Sequence, residues 1–505
     1  MEHELRDYQE AAIKSLRSKL AEGKKRIVLQ IPTGGGKTAV AGSIIRSALG
    51  KDRRAIFTVP ALSLITQTIE SFRRDGIKNI GVMQGNHELT DKDQPVQICS
   101  VQTLARRFIP KADLVMIDEC HVVYDLYKRW FDDPEWADVP IIGLSATPWT
   151  KGLGKLYQSL VIGETTQGLI DKGYLAPFRA FAPSHVDLSS VKTIAGDYDL
   201  EGLDRAMNTA KLTADIVETW LERGEYRPTL CFAVNRAHAQ NLCDAFNRAG
   251  IPAAYVDGET PLDERDELAQ DFRAGKYKVI CNVGVMTTGV DLPFVACLII
   301  ARPTKSEMLW CQIVGRGLRP SPGKTDCIIL DHSDTTQRLG FVTDIIHYEL
   351  NDGKKRAGGT QKDHDDPKPK ECPKCTYLRP QRMKICPNCG FEAKPQAKVF
   401  TADGTLSELK GKGRDKEYDD GLTPYELREM FYQELLGYAL ERNFKSGWAY
   451  HQYKAKYKED PDVGFLKVPL MPSPKTVNWL KHQWIKIKAA QAKERGAFSS
   501  AEFRK

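Results

Sequence analysis

The chain has 505 residues, 41% hydrophobic and 28% charged, with a formal net charge of +7, room for roughly three domains of about 150 residues each. No apolar run approaches the ~20 residues of a membrane helix, and the charged start "MEHELRDYQE" lacks the apolar segment of a signal peptide, so a cytoplasmic protein is expected and the membrane and secreted classes are set aside. Residues 351–505 carry 31 Lys and Arg against 21 Asp and Glu, while the rest carry 42 against 45, and a basic final third on a near-neutral body points to a polyanionic partner.

Between residues 26 and 145 the apolar runs "RIVLQI", "AIFTV", "VQICS", "LVMID" and "IIGLS" alternate with helical stretches. That spacing predicts βαβ units and a parallel sheet. After the first run comes "PTGGGKT" (32–38). Thr33, Gly34, Gly35 and Gly36 form a loop whose backbone N–H groups can cradle a polyphosphate. Lys37 would reach the β- and γ-phosphates, and the Thr38 hydroxyl would face a magnesium ion. The loop departs from the usual pattern, because Ile31 or Pro32 stands where its first glycine is expected.

Some 80 residues on, "DLVMIDECHVVYD" (113–125) lines up Asp118, Glu119, Cys120 and His121. A thiol nucleophile would need further partners that the sequence does not supply. A zinc site would need two more ligands and a looser backbone than a strand end. A carboxylate pair at a strand end beside a phosphate loop is what nucleoside triphosphate hydrolysis requires. Asp118 would then hold magnesium and Glu119 would polarise the attacking water. Cys120 is left as a tolerated small residue.

A second alternating block contains "TLCFAV", "AAYV", "KVICN", "CLIIA" and "CIILD" between 229 and 331, so a second parallel sheet is expected. "NVGVMTTGVDLP" places Gly289 and Asp291 at a strand-end turn. "QIVGRGLRP" places Arg316 and Arg319 three apart on an expected helix, where both can face one cleft and meet transition-state charge as arginine fingers do.

From 351 the composition changes to Gly, Lys, Asp and Pro, read as a linker over 351–371. "CPKC" and "CPNC" follow. Cys372, Cys375, Cys386 and Cys389 have the spacing of a structural four-cysteine zinc ribbon (372–392) rather than of disulfides or an iron–sulfur cluster. This module could brace a nucleic-acid or a protein contact. After a second linker (402–422), Thr423, Pro424 and Glu426 form a helix-start signature. Leu427, Phe431, Leu435 and Tyr438 follow on one face, opening a basic, mainly helical domain over 423–505. "SGWAYHQYKAKYK" and "NWLKHQWIKIK" interleave aromatics with lysines. Trp448, Tyr450, Trp479 and Trp484 are read as core, with the lysines as phosphate contacts.

Eight segments in order, "LRDYQ", "PTGGGKT", "VPALSLITQ", "SVQTL", "DECH", "SATP", "NVGVMTTGVDLP" and "QIVGRGLRP", span about 5–320 and together resemble the superfamily 2 helicases. With the cysteine cassette behind the motor, the chain is most similar to the RadD-like DNA-repair helicases of bacteria and phage. The resemblance implies two tandem RecA-like α/β lobes (1–165 and 166–350). It implies adenine recognition by Gln9 with Arg6 and Tyr8 nearby, and ATP, Mg²⁺ and structural Zn²⁺ as cofactors. Pro60, Ala61, Gln102 and Thr103 would touch the nucleic-acid strand. His121 would couple the ATP site to Ser145 and Thr147, and Gly289, Asp291, Gln312, Arg316 and Arg319 would close on the nucleotide. The implied activity is a monomeric ATP-driven motor on single-stranded or forked DNA, with single-strand-binding protein as a partner. The alternatives are an RNA helicase, a restriction-type translocase, or a zinc-ribbon binding protein with a switch ATPase.

Overall fold

The computed structural model describes residues 4–107, 109–183, 185–194, 196–287, 292–354, 368–392, 423–445 and 447–473, together with 476, 477, 479, 480 and 483. Gly289, Asp291, Trp484, the 402–422 linker and most of the 351–371 linker lie outside the described residues. The chain divides into two compact units, 1–396 and 397–505.

The first lobe of the larger unit contains β1 (Arg26–Gln30), β2 (Ala55–Val59), β3 (Ile80–Met83), β4 (Val96–Ser100), β5 (Leu114–Ile117), β6 (Ile141–Ser145) and β7 (Ser159–Ile162). They form one sheet in the order β3-β4-β2-β5-β6-β1-β7, with every pair parallel. The second lobe opens with β8 (Phe178–Phe181) and a small hairpin of β9 (Thr193–Ile194) and β10 (Asp197–Tyr198). Its sheet adds β11 (Thr229–Phe232), β12 (Ala253–Val256), β13 (Val279–Asn282), β14 (Cys297–Ile300) and β15 (Cys327–Asp331). Their order is β12-β13-β11-β14-β15-β8, again parallel throughout.

The central strands are buried at every residue, as in β1, β2, β5 and β14, because helices cover both faces of a parallel sheet. That is why they read as unbroken apolar runs. The three strands of these two sheets that such runs do not reveal, β3, β7 and β8, are all edge strands. An edge strand is covered less completely, so its sequence is freer to vary: β7 is largely half-buried and β8 carries Arg179.

The cysteine cassette belongs to the larger unit. Its strands β16 (Lys370–Glu371) and β17 (Leu378–Arg379) pair antiparallel. Tyr377 bridges to Phe181 of β8 and meets its ring edge-on at 5.4 Å. Ala182 N donates to Thr376 O at 3.0 Å, and Leu378 is buried in the main core. The cassette thus covers the open edge of the second sheet.

In the smaller unit, helices Pro424–Glu441 and Trp448–Tyr457 pack through Phe431, Tyr432, Leu435, Tyr438, Ala449 and Tyr453. Thr423 and Glu426 make the reciprocal capping box. Leu427 departs from the expected stripe: it is 37% exposed, while the other three positions are buried. Trp448 and Trp479 pack against the same cluster, whereas Tyr450 does not belong to it.

Candidate functional site

The candidate phosphate loop begins where β1 ends at Gln30 and stops at Gly36, the cap of helix Lys37–Leu49. Gly34 and Gly36 take φ of 84° and 80°, a left-handed backbone that a side chain would strain. A Cβ on Gly36 would also lie 2.5 Å from Gln9 Nε2. Gln9 is buried against the loop: its Nε2 donates to Gly35 O at 3.1 Å, and its Oε1 accepts from Arg6 N at 3.0 Å. The Tyr8 hydroxyl donates to the same Gly35 carbonyl. Arg6 lies over the Tyr174 ring, 4.4 Å from its centre. Arg6, Tyr8 and Gln9 therefore set the loop's shape. The first N–H groups of the following helix are left for an anion, with Lys37 and Thr38 beside them.

Asp118 continues β5 by one residue, its N–H donating to Thr58 O at 2.9 Å. The chain then turns sharply: Glu119 takes φ of 46°, and Cys120 N donates to Leu144 O at 3.0 Å on β6. The turn sends Glu119 toward the loop and Cys120 into the core. Cys120 is 1% exposed and packs so closely on Gly143 that a Cβ there would sit 2.7 Å from its sulfur. Its place in the motif is filled by packing.

Lys37 Nζ stands 3.9 Å from Glu119 Oε1. His121 Nδ1 is 2.9 Å from Ser145 Oγ and 3.3 Å from Glu119 Oε2, and Ser145 Oγ also accepts from Thr147 N at 3.0 Å. Burial, then the Glu119 charge, pushes the Asp118 carboxyl well above its ordinary range. Burial alone would raise Glu119 too, but Lys37, His121 and Arg316 outweigh it and hold that carboxylate low. Two adjacent carboxyls are thus driven apart by their surroundings.

The second lobe closes the cleft with helix Glu307–Gly317. Gln312 Nε2 stands 3.3 Å from His121 Nε2, and a Cβ on Gly315 would fall 2.7 Å from Thr33 Cβ. Arg316, in the last helical turn, is close enough to lower Glu119. The expectation that Arg316 and Arg319 share one helix is corrected here, since the helix stops at Gly317 and Arg319 lies beyond it. Pro320 disfavours helical geometry at the residue before it. Arg319 still reaches the loop, with its Cγ 3.2 Å from where a Cβ of Gly34 would stand.

Two family models match the regions that make this cleft: "Type III restriction enzyme, res subunit" over residues 2–150 and "Helicase conserved C-terminal domain" over 211–321. The chain belongs to the superfamily 2 helicases. It is 32% identical over 352 residues to IRC3 of Saccharomyces cerevisiae, a protein named as an ATP-dependent helicase, with 65% of this chain and 51% of the relative covered. It thus spans about half of that relative's length. It is 26% identical over 361 residues to the DNA 3'-5' translocase XPB2 of Sulfurisphaera tokodaii, covering 63% of this chain and 79% of the relative. The fold is similar to an HsdR fragment of a type I restriction enzyme from Vibrio vulnificus YJ016, with a TM-score of 0.54, 21% identity, and 70% and 68% of the two chains covered.

In the first lobe, the other motif residues fall at the carboxyl ends of neighbouring strands. Pro60 and Ala61 follow β2, and Gln102 and Thr103 follow the neighbouring β4; Gln102 Nε2 donates to Pro60 O at 3.0 Å. Sequence reasoning did not single out Thr150, whose hydroxyl donates to His121 O at 2.6 Å, Tyr174 beneath Arg6, or Lys324 behind Arg319. Thr150 is only two residues past "SATP", but none of the three stands out by composition or spacing.

The four cassette sulfurs lie within 4.8 Å of one another, with Cys372–Cys389 at 3.7 Å and Cys375–Cys386 at 3.6 Å. A tetrahedral zinc with Zn–S near 2.3 Å sets its sulfurs about 3.8 Å apart, so the residues fit that ion. Each knuckle ends in a left-handed residue, Thr376 at φ 57° and Gly390 at φ 68°. Their N–H groups return to Cys372 O and Cys386 O at 2.9 and 2.8 Å.

Proposed function

We propose that this helicase hydrolyses ATP in the interlobe cleft to drive movement along DNA. The observation that carries the reading is the chain of contacts from Lys37 and Glu119 through His121 to Gln312 of the opposite lobe. Such a site changes when the lobes separate. The triphosphate would rest on the loop N–H groups, with Lys37 against the β- and γ-phosphates. Thr38 and Asp118 would hold magnesium, which supplies neutralisation of phosphate charge. Glu119, kept ionised at neutral pH, accepts a proton from the attacking water. Arg316 and Arg319 meet the charge that develops on the γ-phosphoryl group. His121 links the chemistry to Ser145 and Thr147, and Pro60, Ala61, Gln102 and Thr103 would contact strand phosphates. Cys372, Cys375, Cys386 and Cys389 would hold one structural zinc.

DNA is favoured as the track because a relative that this chain matches along 79% of its length is named a DNA translocase. The RadD-like order of motor and cassette supports a place in DNA repair, as a cytoplasmic monomer working beside single-strand-binding protein. Among the described residues no helix is long and apolar enough to cross a membrane. Lys37→Ala is expected to abolish ATP hydrolysis with an unchanged melting temperature, and normal turnover would sink the site assignment. ATPase rates with single-stranded DNA, forked DNA and RNA decide the track. DNA should stimulate most, and selective stimulation by RNA would overturn that choice.

A further inference from the structure

The last carbonyls of a helix have no partner within it. At the end of helix Glu307–Gly317, the three consecutive carbonyls of Gly317, Leu318 and Arg319 are nonetheless committed. Leu318 O accepts from Ala176 N at 2.8 Å. Lys324 Nζ donates to Gly317 O at 2.6 Å and to Arg319 O at 2.8 Å. The same ammonium reaches Pro293 O at 3.2 Å and also Val295 O, on the segment that follows Gly289 and Asp291 in sequence. Three N–H donors therefore serve four carbonyls from two separate segments of the second lobe.

An ammonium suits this place. It is a compact charge with donors on every side, and it stands at the negative end of a helix. Removing such a group from water is costly unless it is fully hydrogen-bonded, and here four acceptors meet it. The carbonyls that it gathers belong to Gly317 and Arg319, one residue past Arg316 and Arg319 itself. Arg319 in turn packs on Gly34 of the phosphate loop. A shift of this turn would move both guanidinium groups relative to the loop.

We propose that Lys324 is the positioning residue for Arg316 and Arg319, locking the turn between them and tying it to the segment after Gly289–Asp291. The inference rests on the ATP-hydrolysis reading of the cleft.

The test compares wild type, Lys324→Met, Lys324→Arg, Arg316→Ala and the Lys324→Met/Arg316→Ala pair, all as full-length protein. A misplacement near 1 Å costs about 10²-fold in rate, so Lys324→Met should lower kcat by about 10- to 100-fold. Its affinity for a fluorescent ATP analogue should stay within about threefold. In the Arg316→Ala background the same change should cost clearly less than it does in wild type, since one of the two groups that it positions is gone. Lys324→Arg, which keeps the charge and the donors, should recover part of the rate, and it carries the test if Lys324→Met does not fold. Full activity in Lys324→Met overturns the proposal, as does an undiminished further loss on top of Arg316→Ala. A wild-type protein without ATPase would instead refute the function itself.

Discussion

Gly315 sits in helix Glu307–Gly317 with no room for a side chain, because its missing Cβ would lie 2.7 Å from Thr33 Cβ across the cleft. Gly315→Ala therefore separates two effects of opposite sign. Within the helix, alanine is favoured over glycine by about 1 kcal/mol, so the lobe that carries the change should be no less stable. Across the cleft, carbon atoms need about 3.5–4.0 Å, so helix and loop must part by roughly 1 Å. The adjacent Arg316 moves with the helix. A displacement of that size at a reacting centre costs about 10²-fold in rate. The assay is a thermal melt without nucleotide, run beside DNA-stimulated turnover. The expected result is a melting temperature equal to or above wild type with kcat down by about 10- to 100-fold. Wild-type turnover in Gly315→Ala would refute the claim that this contact sets the catalytic geometry. A collapsed melting temperature would refute the claim that the clash lies only across the cleft.

Metal analysis should find about one zinc per chain, lost when Cys372 and Cys375 are changed to Ser. Because Tyr377 and Leu378 pack on β8 and the main core, zinc loss should also lower the melting temperature of the larger unit, and an unchanged melt would contradict that packing. His185 lies between Asp334 Oδ1 at 2.8 Å and Glu371 Oε2 at 2.9 Å, joining the second lobe to the cassette. Its pKa is raised first by the Asp334 hydrogen bond. Its contribution is therefore complete below the unfolded value of about 6.5 and is lost as pH rises through the folded value. Cassette amides should exchange more slowly at about pH 6 than at about pH 8.5, after correction for intrinsic rates, and His185→Gln should remove the difference. Cys120→Ala should keep ATPase within about threefold while lowering stability by about 1–2 kcal/mol through the lost packing. A large loss of kcat with stability intact would return the thiol to the chemistry.

Much of the candidate site was legible because the chemistry proposed for it depends on local strings. A strand followed by "PTGGGKT" needs little else to make a phosphate loop, and "CPKC" with "CPNC" suffices for four sulfurs. Cys120 shows where local reading stopped: the motif could dismiss it as a catalyst, but only the contact with Gly143 explains what holds it. Arg319 shows the same limit, since its three-residue spacing from Arg316 suggests one helix face until Gly317 ends the helix.

The amino-acid order by itself determined that two parallel sheets form, because strands covered on both faces must be apolar throughout and their carboxyl ends must carry the loops. It did not determine which loops become neighbours. Pairing in the order β3-β4-β2-β5-β6-β1-β7 lays Gln102, Pro60, Asp118, Ser145 and the phosphate loop in a row, although the chain meets the loop first. The closing of Gln312 and Arg316 onto that row depends on packing between lobes. Such contacts join residues nearly 200 positions apart, and no local pattern of charge or hydrophobicity records them.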